Sequence, residues 1–166
     1  AMNGLTVQNC GGHGIHVKDT DDLVVSDSFL YSNGTDSAYD HNMYLRGVEN
    51  ATITNIVSTD AAGNGFNASE MNGLTISNYI ARDNGGRGIR VSNSYNVVIT
   101  SSIALNNGTA GIMLMDEDGG VEDAVISGCV SKGNGGAGVD AEDLNGITLF
   151  YADAVTVSGC TVSGNA

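Results

Sequence analysis

Residues suited to acid–base and anion chemistry gather in the first two thirds of this 166-residue chain. They are His16 and Lys18, His41 with Tyr44 and Arg46, then Asn67, and finally Arg87 and Arg90. Four of the six basic residues (Lys18, Arg46, Arg87, Arg90) and all three histidines, including His13, gather in these short stretches. Histidine and tyrosine exchange protons near neutral pH when their surroundings tune them. Arginine grips carboxylates through a fixed fork of donors. Together they suit removal of the C5 proton from a uronic acid. That reaction needs the sugar carboxylate neutralised, a base beside the C5 hydrogen and a second proton donor. Departure of the glycosidic oxygen gives a lyase; reprotonation on the other face gives an epimerase. Here Arg46 would hold the carboxylate, His41 would take the proton and Tyr44 would return one. His16, Lys18, Asn67, Arg87 and Arg90 would bind the polymer.

These residues share one place in a repeat. A polar turn followed by Gly-x-Gly-apolar-x-apolar recurs at Gly12–Val17, Gly63–Ala68, Gly86–Val91, Gly108–Leu114 and Gly136–Ala141. A variant at Asp40–Leu45 has Asn42 where the others have glycine. Aligned positions 14, 42, 65, 88, 111 and 138 lie 28, 23, 23, 23 and 27 residues apart. A second apolar segment repeats with them and predicts a stack of Val7, Val25, Ile53, Ile76, Ile99, Ile126 and Val157. No window has helical periodicity. Such a period, carried by short alternating strands, predicts an all-β, single-stranded parallel β-helix, right-handed, of about seven coils and roughly 30 Å long. Alternation within a strand sends Ile15, Met43, Phe66, Ile89, Ile112 and Val139 inward. The outward column then reads His16/Lys18, Tyr44/Arg46, Asn67/Ser69, Arg90/Ser92, Met113/Met115 and Asp140/Glu142.

Nothing in the composition divides the chain, so residues 1–166 read as one unit. Neither end has the polar cap a solenoid needs, which suggests a piece of a longer solenoid. Nineteen acidic residues and a net charge of −13 argue against duplex nucleic acid as a partner. No apolar run is long enough for a membrane span. Acidic insertions follow the regular coils, and their oxygens suit a calcium ion, with Asp116, Asp118 and Asp140 as candidate ligands. The three cysteines, Cys10, Cys129 and Cys160, are each expected three residues after a stack position. Cys10 lies too many coils from the others to bond, roughly 24 Å from Cys129 by strand spacing. Only Cys129 and Cys160 are placed to pair.

Asn84-Gly85-Gly86-Arg87-Gly88-Ile89-Arg90-Val91 followed by Asn96-Val97-Val98-Ile99 resembles coils of the right-handed parallel β-helix proteins, as does Gly63-Asn64-Gly65-Phe66-Asn67. That group includes pectate lyases and mannuronan C5-epimerases. In the epimerases the corresponding strand carries Asp-Pro-His-Glu; here it reads Met43-Tyr44-Leu45-Arg46. The resemblance implies a carbohydrate-active or carbohydrate-binding β-helix, secreted or at a cell surface, with its site on a strand face and an anionic polysaccharide as partner. Two other readings stay open. One is a non-catalytic module of an adhesin, tailspike or surface protein. The other is a glycoside hydrolase using the paired acids Asp140 and Glu142.

Overall fold

The computed structural model describes residues 1–115, 120–136 and 144–166. All regular structure among them is β-strand, and every pairing is parallel, each strand lying beside its equivalent one coil along. The chain winds as a parallel β-solenoid. Five complete turns separate Ile15 from Ile147 through Met43, Phe66, Ile89 and Ile112, with a partial coil at each end. The seven coils expected therefore resolve as five full turns and incomplete ends.

The abundance of Asn, Asp and Gly has a backbone cause. Each coil turns its corners with single residues in the left-handed conformation, which only Gly, Asn and Asp adopt at small cost. One corner stacks Asp19, Gly47, Glu70 and Asn93, with φ between 46° and 60°. Others stack Asp22, Asn50, Gly73, Asn96 and Asp123, or Asn55, Asn78, Ser101 and Gly128. Such corners sit inside the long strand Met43–Thr59, at Gly47, Asn50 and Asn55, so one continuous strand wraps three faces of the coil.

Aliphatic stacks fill the interior. Val25, Ile53, Ile76, Ile99 and Ile126 are in register and fully buried. Met2, not Val7, stands above Val25. Val7 pairs with Leu30 in the neighbouring stack, because Thr6–Gln8 is the equivalent of Phe29–Tyr31. The same shift moves Cys10. Its expected slot holds Leu5, whose N–H donates to Ser28 Oγ, while the Cys10 N–H donates to Asn33 Oδ1. Cys129 and Cys160 do occupy adjacent rungs and are free thiols.

A buried asparagine ladder explains Asn42. At one corner the N–H of Asn84 donates to Asn107 Oδ1, that of Asn107 to Asn134 Oδ1, and that of Asn134 to Asn165 Oδ1. Each ladder amide presses on a glycine: a Cβ on Gly65, Gly88 or Gly111 would stand 2.7–2.8 Å from the amide nitrogen of Asn84, Asn107 or Asn134. One rung has Ala61 instead of asparagine. In the space this leaves, Asn42 turns inward. Its Oδ1 accepts from Asn33 Nδ2 at 2.8 Å, and its Nδ2 donates to Ser58 Oγ at 3.0 Å and to the Thr59 carbonyl at 2.9 Å. The ladder amide of that coil is supplied from the other side, so the buried polar column stays satisfied.

The last coil departs from the expected register. Ile112, Met113 and Leu114 pair with Ile147, Thr148 and Leu149, and Gly146 is the equivalent of Gly111. Thr148 therefore follows Met113 in the strand column, and the expected Val139 and Asp140 lie outside the described residues.

Candidate functional site

The outward column of the strands Ile15–Asp21, Met43–Thr59, Phe66–Ser69 and Ile89–Ser92 pairs His16 with Tyr44, Tyr44 with Asn67, and Asn67 with Arg90. A second column pairs Lys18, Arg46, Ser69 and Ser92 in turn. Two residues before each strand, His13, His41, Asn64 and Arg87 stack in the turn. The three histidines and Tyr44 thus converge. His13 lies 5.0 Å from His16, 5.3 Å from His41 and 5.0 Å from Tyr44 between ring centres; His16 stacks on Tyr44 at 5.0 Å. Tyr44 lies 5.8 Å from His41.

Backbone N–H groups fix the state of two of these rings. The His41 N–H donates to His13 Nδ1 at 3.1 Å, the Asn64 N–H donates to His41 Nδ1 at 3.0 Å, and the Arg87 N–H donates to Asn64 Oδ1 at 2.8 Å. His13, His41 and Asn64 thereby each receive the backbone N–H of the next coil. A neutral imidazole has one lone pair in its ring plane. In His13 and His41 that lone pair is committed at Nδ1, so the proton sits on Nε2. Burial, helped by nearby His13, Arg90 and Arg87, pulls the His41 pKa down to about 4. His13 is lowered too, first by burial and then by His16, with Asp40 opposing. Both rings are hydrogen-bond donors at neutral pH. The sequence-based role of His41 as proton acceptor does not agree with this geometry.

Asn67 lies between His41 and Arg90. One end of its amide is 3.0 Å from His41 Nε2 and the other is 3.1 Å from Arg90 Nη1. Both neighbours offer N–H groups, and the amide has a single oxygen. Whichever way the amide faces, one donor meets its NH2. His41 and Arg90 thus compete for the one oxygen of the Asn67 amide. His41, Asn64, Asn67, Arg87, Arg90 and Tyr39 line this groove, of about 440 Å³. Tyr39 comes from the irregular segment Tyr31–Asp40, where Asp40 Oδ2 accepts the N–H groups of Thr35 and Asp36. Those bonds hold the Asp40 carboxyl below its ordinary range.

Arg46 is placed otherwise than expected. Its Nε and Nη2 both donate to Glu70 Oε1, at 3.0 and 2.7 Å, at the protein surface. Its fork is already occupied by a carboxylate of the chain. Lys18 lies exposed, 3.7 Å from Asp19. Arg87 Nε and Arg90 Nε approach the sulfurs of Met113 and Met115. Asp116, Asp118, Asp140 and Glu142 lie outside the described residues. Among the described residues no group of three His, Cys, Asp or Glu side chains is arranged to hold a metal ion.

Sequence reasoning left His13, Asn64, Glu70 and Tyr39 out of the site. His13 and Asn64 could be aligned with His41, but their acceptor role depends on a backbone N–H from the next coil. Glu70 stands in a left-handed corner, φ 57°, where its partners in the stack are Asp, Gly and Asn. No local pattern predicts glutamate there.

A parallel β-solenoid with a polar groove on one strand face is the class the fold and the groove define. The profile of the right-handed β-helix region matches residues 1–144, and the chain belongs to that family. No curated protein matches it in sequence. Its fold is similar to that of the periplasmic alginate epimerase AlgG, at 16% identity and a TM-score of 0.62, over 93% of this chain and 40% of the epimerase. It is similar also to tailspike protein 2 of the Escherichia coli O157:H7 bacteriophage CAB120, at 16% identity and a TM-score of 0.64, over 93% of this chain and 22% of the tailspike. The chain thus spans less than half the length of either. No helix among the described residues is long and apolar enough to cross a membrane.

Proposed function

We propose that this β-helix acts on an anionic, uronate-containing polysaccharide at the groove beside His41, by abstraction of the C5 proton. The observation that carries the reading is the convergence of the His41, Asn67 and Arg90 N–H groups on one groove. A carboxylate entering the groove accepts from these N–H groups, in a partly buried place where such bonds are strong. Arg87 and Arg90 add positive charge to the same lining. The proton acceptor is then His16. It is exposed, lies outside the Nδ1 ladder and stacks on Tyr44. Its neutral ring takes the C5 proton; the electron pair left on C5 is held as the enolate of the carboxylate. The Tyr44 O–H gives its proton to the departing glycosidic oxygen in a lyase, or to the opposite face of C5 in an epimerase. His41 binds and polarises, and Arg46 orders the rim through Glu70. The likeness in fold to an alginate epimerase supports a polysaccharide substrate, and the likeness to a tailspike supports a location outside the cytoplasm.

Two variants test this on alginate, pectate and a glycosaminoglycan. Tyr44→Phe is expected to keep polymer binding and lose product formation. Arg90→Ala is expected to weaken binding. Binding that is lost in Arg90→Ala, with no turnover by the unaltered protein on any polymer, would leave a binding module. No effect of either variant on any uronate polymer would remove the groove from the account.

A further inference from the structure

A second hollow, of about 520 Å³, lies around the corner from the histidine face. Its lining includes Glu70, Asn72, Asn93, Tyr95, Asn96 and Asp123. Asn72, Tyr95 and Glu122 are successive rungs of one parallel column, so Tyr95 stands at the middle of the hollow along the solenoid axis. Its ring is 44% exposed. Around it the chemistry is opposite to that of the first groove. Asp123 brings a carboxylate, and Glu70, its Oε1 held by Arg46, borders the hollow. Asn72 Oδ1 accepts from Asn96 Nδ2. Asn93 Oδ1 is one of three buried side-chain oxygens without a partner among the described residues. A buried acceptor left unpaired is costly, and Asn93 belongs to the lining of the hollow. The site offers an aromatic face surrounded by acceptors and negative charge.

We propose that this hollow is a second carbohydrate site that takes a non-acidic pyranose, neutral or 2-amino. The apolar face of the sugar ring packs on Tyr95, as an aromatic side chain with one polar end allows. Hydroxyl groups donate to Asn93 Oδ1 and to the carboxylates. An ammonium group at C2 would pair with Asp123, which separates the amino from the neutral sugar. A uronate is disfavoured here by the Asp123 carboxylate, whereas the charge of Glu70 is already paired with Arg46. The two sites together would grip a polymer, or two polymers, of mixed charge. This inference does not depend on the chemistry assigned to the histidine groove.

The test is a glycan array of neutral, 2-amino and uronate oligosaccharides, read with the unaltered protein and with Tyr95→Ala, Asp123→Asn and Arg90→Ala. Tyr95 and Asp123 are exposed, so both variants should fold; circular dichroism checks this. At least one neutral or amino-sugar glycan is expected to be retained, with tenfold or greater loss in Tyr95→Ala and no loss in Arg90→Ala. Selective loss of amino sugars in Asp123→Asn would identify the ammonium contact; equal retention of neutral sugars would identify a neutral ligand. The proposal is overturned if no non-acidic glycan binds better to the unaltered protein than to Tyr95→Ala, or if Tyr95→Ala loses only uronates.

Discussion

Replacing His41 by Asn should change how stability depends on pH while leaving the turn intact. Asn64 already shows, one rung on, that an asparagine oxygen accepts the next coil's N–H. Protonated His41 instead puts a second N–H on Nδ1, facing the Asn64 N–H. Its pKa falls from 6.5 to about 4 on folding. Between these values the unfolded chain binds the proton and the folded chain does not. Stability contributed by neutral His41 is therefore whole above about pH 6.5 and is lost as pH falls towards 4, with no further loss below. The full shift corresponds to roughly 3 kcal/mol, and the part lost between pH 7 and pH 5 to about 2 kcal/mol. Urea unfolding followed by circular dichroism at pH 7, 6 and 5 gives the number when the variant is subtracted from the unaltered protein. Subtraction removes the carboxylates and the relief of net charge, which both proteins share. His41→Asn should become the relatively more stable protein by about 2 kcal/mol on going from pH 7 to pH 5. Parallel pH profiles would refute the locked-donor state of His41.

Three further outcomes follow from the fold. Asn42→Gly should lose about 1–3 kcal/mol, since it unpairs buried amides of the ladder; adding Ala61→Asn should recover much of this, whereas Ala61→Asn alone should destabilise by crowding Asn42. Thermal melts of the three proteins decide it. Ile99→Asp should be destabilising by more than about 4 kcal/mol, because an unpaired charge enters a fully buried stack; a cooperative melt near that of the unaltered protein would contradict this. Mild oxidation by a disulfide reagent should join Cys129 to Cys160 and leave Cys10 reduced, as peptide mapping would show.

Periodicity made the solenoid legible. Ile53, Ile76, Ile99 and Ile126 recur at nearly constant spacing because each must fill the same buried slot. Where a coil offers two similar apolar triplets, sequence could not choose between them. Leu5-Thr6-Val7 resembles the segment around Val25, yet Thr6–Gln8 pairs with Phe29–Tyr31, and nothing in the repeat marks Ile147 as the partner of Ile112. Asn42 was visible as a departure from glycine, but its cause lies at Ala61, nineteen positions later on another side of the coil. The cluster of His16, Tyr44, Asn67 and Arg90 could be read from alternation, and His41 and Arg87 from the alignment of the turns. The roles could not. Which nitrogen of His41 keeps a lone pair depends on Asn64 in the next coil, and whether Arg46 is available depends on Glu70 across the corner.

The most direct test of the function is hydrogen exchange at C5. The protein is incubated with alginate, pectate and a glycosaminoglycan in deuterated water, and the recovered polymer and fragments are examined by proton NMR. An epimerase incorporates solvent deuterium at C5. A lyase leaves a C4–C5 double bond with no hydrogen at C5. Either route removes the original C5 proton, and Tyr44→Phe and replacement of His16 by Ala should both slow that loss. If a polymer binds at the groove and every C5 position keeps its original proton, C5 abstraction is wrong and the groove only binds.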